Sequence, residues 1–361
     1  MNNVTPGMSG DDELSPARFN RDVSGTRVAF GPGAVGELPL RLEAIGSRRA
    51  FVVTTGGRSA ALLAPEALLA DRLAGLFEGA REHVPVATVA AALERFRAAR
   101  ADACVAVGGG SAIGLGKAIA RATGAPLVAV PTTYSGSEMT SIWGETDAQG
   151  KRTGRDPRAK PSVVVYDVTL TFDLPAAMSA ASGMNAMAHA VEAMYAAGVS
   201  DDSWATAVEA VRLLARSLPA VVQNGRDLRV RTAALAGAHL AGRALEETSM
   251  GLHHRICHVL GGTFGLPHAR THAVVLPHVV AFNAPAAPKA MTRLADLFMK
   301  PDVAGALAAL DRAVGIHSTL RDLGLRAEDV ERAAEEIAAK PYANPRPATK
   351  DDVRAVLMAA F

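Results

Sequence analysis

Asn185 and His189 stand four residues apart in "SGMNAMAHAVEAMY", a stretch whose period predicts a helix, so both side chains share one face. A carboxylate followed four residues later by a histidine would be a ready metal pair, but here the first position is an amide. The stretch therefore reads three ways: a metal site with a weak ligand, a former metal site, or a helix with a histidine in it. Downstream, His253, His254, His258, His268, His272 and His278 fall within "GLHHRICHVLGGTFGLPHARTHAVVLPHVV". His254 and His258 share a helical face. His189, His254 and His268 come from three segments and can converge. His278, after Pro277, reads as structural; His239, in "ALAGAHLAGRAL", reads the same way, with a place in the cleft as the alternative.

A second chemistry lies in the glycine-rich turns. "VAVGGGSAIGLGKAIA" ends a strand at Val107 and runs through Gly108, Gly109, Gly110 and Ser111 into a helix bearing Gly114 and Lys117. Glycines there let backbone N–H groups approach an anion, and the helix N-terminus adds partial positive charge. The Lys117 spacing is not that of a Walker loop. A tight turn without a ligand explains this segment alone equally well. The next unit, "VPTTYSGSEMTS", sets Thr132, Thr133, Ser135 and Ser137 at a strand's carboxyl end, where ligands of open α/β sheets gather. Both turns together favour a dinucleotide. The first turn, "VVTTGGRSA", offers Thr55, Gly56 and Arg58 but no carboxylate. A carboxylate would select the NADH ribose, whereas arginine receives a 2′-phosphate. NADPH is therefore expected alongside NADH, with a solvated Arg58 as the alternative.

These residues need elements to hold them. "FNRDV" and "TRVAFG" flank Ser24-Gly25 and read as a hairpin. "RAFVVTT", "ACVAVGGGS", "PLVAVPTT" and "PSVVVYD" are short, continuously apolar strands separated by helical pattern, the mark of a parallel sheet covered on both faces. "DAQGKRTGRDPRAK" reads as an exposed hairpin or loop. From about Leu174, Ala- and Leu-rich segments of 3.6 period dominate. The expected organisation is a disordered tail over 1–18, an α/β dinucleotide-binding domain with a parallel sheet over 19–175, and an all-α domain over 176–361.

Composition narrows the partners. Thirty-eight basic residues against 36 acidic ones give a net charge of +2, which matches neither nucleic acid nor an anionic membrane surface. No apolar run approaches the ~18–20 residues of a spanning helix. Two cysteines in apolar surroundings and an N-terminus without an export pattern point to the cytoplasm.

From about Phe19 onward the order and spacing of "FGPGAV", "GGGSAIGLGKAIA", "PTTYSGSEMT", "GMNAMAHAVEA", "HHRICHVLGGTFGLPHA" and "NPRPAT" resemble the iron-containing alcohol dehydrogenase superfamily, and within it the maleylacetate reductase branch. The resemblance implies NADH- or NADPH-dependent reduction of the C=C bond of maleylacetate to 3-oxoadipate in the degradation of aromatic compounds. It also implies a Rossmann-like N-terminal domain, an all-α C-terminal domain with the active site in the cleft between them, and a homodimer. In the metal-dependent relatives one Asp and three His hold the ion; by motif those positions are Asn185, His189, His254 and His268. An amide cannot offset divalent charge as a carboxylate does, so no obligatory metal is expected. His254, His258, His189 and His268 are then the expected catalytic residues, with His258 matching a position near the nicotinamide. A dicarboxylate substrate needs cations, and Arg243, Arg255 and Arg270 are candidates beside His253 and Asn185. A metal-dependent alcohol or aldehyde dehydrogenase is the alternative.

Overall fold

The computed structural model describes residues 18–57 and 64–361. Arg58 and the tail before Arg18 lie outside them, and Arg18 itself is tied down, donating to Glu37 Oε1 at 2.8 Å. Seven strands form one sheet in the order β1-β2-β9-β6-β5-β3-β4. They are β1 (Phe19–Val23), β2 (Thr26–Phe30), β3 (Ala50–Val53), β4 (Leu73–Phe77), β5 (Ala103–Gly108), β6 (Leu127–Pro131) and β9 (Val163–Tyr166). β1 and β2 are the expected antiparallel hairpin. Ser24 (φ 51°) and Gly25 (φ 82°) both take the left-handed conformation that a two-residue hairpin turn requires. The remaining pairs are parallel. β3, β5, β6 and β9 are buried throughout, which is why their sequences are apolar without alternation.

Helices α1 (Leu38–Ala44), α2 (Pro65–Leu69), α3 (Val86–Ala98) and α4 (Gly110–Thr123) punctuate this half. Edge strand β4 is absent from the sequence reading. Its Gly75 weakens the strand pattern, but a Cβ there would stand 3.1 Å from the Phe51 ring, so the position is glycine for close approach. The polar excursion is the tip of a separate hairpin, β7 (Ile142–Asp147) with β8 (Gly150–Arg155).

After Pro175 the described chain holds nine α-helices: α5 (Ala176–Met194), α6 (Asp201–Gln223), α7 (Leu228–Glu246), α8 (Leu252–Phe264), α9 (His268–Asn283), α10 (Pro288–Phe298), α11 (Val303–Ala313), α12 (Asp329–Ala338) and α13 (Lys350–Ala359). Side-chain caps mark several starts: Ser200 for α6, Asp227 for α7, Asp302 for α11, and a Thr349–Asp352 capping box for α13. α5 is buried from Ser179 to Met194, and small residues all round let α6, α7 and α9 pack closely on it. Gly265, at φ 71°, ends α8 in the left-handed cap that favours glycine, and Pro267 precedes α9. That short joint brings His254, His258 and His268 to one wall.

Candidate active site

A cleft of about 580 Å³ opens where the carboxyl ends of β5 and β6 face α5, α8 and α9. Its nucleotide-like end is the β5–α4 turn. Gly109, the extended residue before α4, offers no side-chain cap, so the first N–H groups of the helix remain available to an anion. A Cβ on Gly110 would meet nothing within 4 Å, whereas one on Gly109 would lie 2.9 Å from Thr133 Cγ2. The two turns are therefore packed against each other through the missing side chain. Gly109→Val is expected to lower NADH affinity by about 5- to 150-fold, because overpacking of about 1–3 kcal/mol falls on the hydroxyl-bearing turn. Fluorescence titration with NADH checks this; unchanged affinity would place the pyrophosphate elsewhere.

Thr55 and Gly56, Gly110, Ser111 and Gly114, and Thr132, Thr133, Ser135 and Ser137 all line the cleft as expected. Two assignments in this set need correction. Gly108 does not line it; at φ 143° the residue is a buried pivot whose carbonyl accepts from Thr132 N at 3.0 Å. Lys117 lines the cleft, but its ammonium is already committed to Ser137 O (2.6 Å), Thr140 Oγ1 (3.0 Å) and Ile142 O (2.7 Å). Three donors meet three acceptors. Lys117 is a pin between α4 and the hydroxyl turn, not a free phosphate ligand. Burial lowers its pKa to about 7.

The opposite end is a wall of imidazoles. His189 and His254 stack with ring centroids 5.1 Å apart, and His258 and His268 stack at 6.4 Å. Burial first, then repulsion from neighbouring cationic groups, holds His189, His258 and His268 well below the ordinary histidine pKa. These three are neutral near pH 7. For His254, α5 supplies a partner: its Nδ1 donates to Glu192 Oε2, within a pair almost wholly buried. Glu192 also accepts the His253 backbone N–H at 3.0 Å. Burial raises the Glu192 pKa, but the His254 contact outweighs it and the carboxyl sits below its usual range. With Nδ1 spent, His254 Nε2 has no partner among the described residues and lies beside the cleft. Asn344 accepts from Leu252 N at 3.3 Å and exchanges amide hydrogen bonds with Asn283, fixing the start of α8.

Asn185 lines the cleft too, its Nδ2 donating to Ser135 O at 3.4 Å and its Oδ1 without a partner among the described residues. The other expected substrate contacts are not at the cleft. His253 is fully buried behind His254, its Nε2 donating to His272 O at 3.0 Å. Arg255 is spent on the carbonyls of Glu336 and Ile337. Arg243 pairs with Asp202 and Glu247. Arg270 is exposed and does not reach the lining. The spacing of these arginines placed them near the histidines in sequence, but helical rotation turns each away. His239 is also away from the cleft, 3.4 Å from Tyr166 Oη and burial-shifted to a pKa of about 3.

Four cleft or near-cleft residues escape the sequence reading: His83, Glu82, Lys151 and Glu192. Glu192 had a usable signal, an acidic residue one turn after His189 in an otherwise apolar helix. His83 and Val84 carry φ of 61° and 50°, adjacent left-handed non-glycine residues that a sequence pattern does not reveal. His83 meets His268 edge-on at 6.3 Å.

The chain matches the model of iron-containing alcohol dehydrogenases over residues 25–168 and that of the Fe-containing alcohol dehydrogenase family C-terminal region over 179–361. It is 45% identical to a maleylacetate reductase of Sphingobium indicum, over 92% of this chain and 95% of that protein. It is 47% identical to maleylacetate reductase 2 of Cupriavidus pinatubonensis, over 93% and 94%. The crystal structure of maleylacetate reductase from a Rhizobium species superposes with a TM-score of 0.88 at 40% identity, covering 96% of this chain and 98% of that one.

Proposed function

Since the chain belongs to the iron-containing alcohol dehydrogenase family, we propose that it is the site's unusual chemistry within that family that defines it: a maleylacetate reductase, working with NADH or NADPH. The observation that carries this reading is His254, held by Glu192 at one nitrogen and unpartnered at the other, at the wall of a cleft whose far end is a glycine-rich anion turn. The full-length relatives with that activity support it.

A dihydronicotinamide held by the glycine-rich turn and the hydroxyl-bearing turn would supply a hydride. The alkene of maleylacetate is conjugated with a ketone, so hydride addition leaves an enolate that must be stabilised and protonated on carbon. His254 Nε2 is the atom that gives that proton, because its other nitrogen is fixed by the carboxylate of Glu192. Neutral His189, His258 and His268 offer N–H donors to the enolate oxygen and exclude bulk water. Asn185 Oδ1 and the hydroxyl turn orient substrate and ring. A cytoplasmic homodimer goes with this reading, supported by the resemblance along nearly the whole chain and by two buried free cysteines.

The iron of the family name does not suit these donors. The position of the carboxylate ligand is Asn185, whose oxygen cannot balance a divalent charge. Among the described residues two sets of three donor atoms lie within 4.8 Å, His253 with Cys257 and His272, and Glu192 with His253 and His254. Neither is the set expected from the family motif. In both, His253 Nε2 or His254 Nδ1 is already hydrogen-bonded, and burial keeps the Cys257 thiol protonated. The test is NADH consumption with maleylacetate, with and without a strong chelator. Turnover to 3-oxoadipate at the same rate in both is expected. Metal-dependent turnover of simple aldehydes, with none of maleylacetate, would overturn the reading.

A further inference from the structure

The substrate under this reading carries two carboxylates, yet none of the expected arginines reaches the cleft. Lys117 and Lys151 are the cationic side chains among its described lining residues, and Lys117 is saturated by three acceptors. Lys151 is different. It sits on β8 opposite Thr146, and among the described residues its ammonium has no hydrogen-bond or ion-pair partner. Two glycines give it passage. A Cβ on Gly262 of α8 would stand 2.5 Å from Lys151 Cβ, and one on Gly144 of β7 would stand 3.2 Å from its Cε. Gly262 follows His258 by four residues and lies on the same helical face. The bare end of that face therefore seats the lysine beside the imidazoles.

Its electrostatic neighbours agree with the placement: the Lys151 charge acts on His83, His258 and His268, with the Glu82 carboxylate balancing it. Glu82 is partly engaged, accepting the His268 N–H at 2.8 Å. Burial makes an unpaired ammonium here costly. An arriving carboxylate removes that cost, so lysine charge and anion binding support each other.

We propose that Lys151 is the substrate-anchoring cation of the cleft, receiving one terminal carboxylate of a short dicarboxylate while the imidazole wall meets its reactive middle. This rests on the maleylacetate reading for the identity of the substrate, but the cation's role is measurable without turnover. Lys151→Met keeps the length and apolar stem that pack against Gly144 and Gly262. The probe is adipate, a saturated six-carbon dicarboxylate, titrated calorimetrically into the NADH-bound protein, with the KM for maleylacetate measured in parallel.

Loss of a charge-assisted contact predicts adipate binding weaker by about 10- to 100-fold and a similar rise in KM, with a smaller change in kcat. NADH and NADPH affinities should stay near wild type, which also reports an intact fold, and Lys151→Arg should restore most of the adipate affinity. Unchanged adipate affinity in Lys151→Met would overturn the proposal. So would a loss of NADH or NADPH affinity instead, which would assign the ammonium to a cofactor phosphate. Lysine-dependent adipate binding by a wild-type protein that does not reduce maleylacetate would leave the anchor standing and overturn the assigned reaction.

Discussion

Replacing His254 by alanine should lower kcat for maleylacetate by about 10²–10⁴-fold, the range lost with a positioned acid–base group, while NADH affinity stays near that of the wild type. The split follows from geometry. His254 stands on α8 at the imidazole wall, and the anion turn belongs to β5 and α4 at the other end of the cleft. Truncation also strips Glu192 of its partner, and an uncompensated buried charge costs about 3–5 kcal/mol. A companion variant, His254→Asn, therefore matters: its amide can still donate toward Glu192 but cannot carry a proton into the cleft. Both variants should be slow, and His254→Asn should be the more stable of the two. His258→Ala, which removes a ring with no such partner, should be slow and fold well. Stopped-flow measurement of NADH oxidation separates the hydride step from cofactor binding. A His254→Asn protein with near wild-type turnover would remove His254 from the chemistry.

The parts of this site legible in sequence are those set by local rules. A strand ending in three glycines dictates a close backbone turn, and a helix period dictates that Asn185 and His189, or His254 and His258, share a face. Those arguments hold within a few residues and came through into the cleft lining. The cations did not, because a charge in sequence says nothing about which way a helix is rotated by its packing. Arg243 and Arg255 found carboxylates and carbonyls on neighbouring helices, while Lys151, in a stretch that looked merely exposed, was carried into the cleft by a hairpin docked on a glycine. Lys117 shows the converse: its position in the early helix was legible, but the three acceptors that occupy it come from a turn 20–25 residues away. Glu192 belongs to the same class. Its role exists only because α8 delivers His254 to it.

The imidazole wall also fixes how the protein responds to acid. His189, His239, His253, His258, His268 and His272 all have pKa values pushed below 6.5, His253 to about 4 and His239 to about 3. Burial is the leading cause in each. In the unfolded chain they protonate near 6.5; in the native state they do not. The unfolded state thus binds more protons below pH 6.5, and each such histidine removes up to about 1.4 kcal/mol of stability per pH unit from there down to its native pKa. Two buried carboxyls act oppositely: burial raises Glu138, and raises Asp311 to about 8, so both gain stability as pH falls toward the carboxylate range. These six histidines, with His83 and His278 shifted the same way by burial, outnumber the two carboxyls, so the balance is a net loss of stability as pH falls below 6.5. Urea midpoints should fall steeply between pH 6.5 and about pH 5, before ordinary carboxylates titrate. His272 offers the sharpest check. Both of its ring nitrogens are buried without partners among the described residues, and it is outside the cleft lining. His272→Phe should flatten the slope by about 1.4 kcal/mol per pH unit, one proton's worth. An unchanged slope would mean that His272 takes up its proton equally in both states, and the neutral wall would have to be abandoned there.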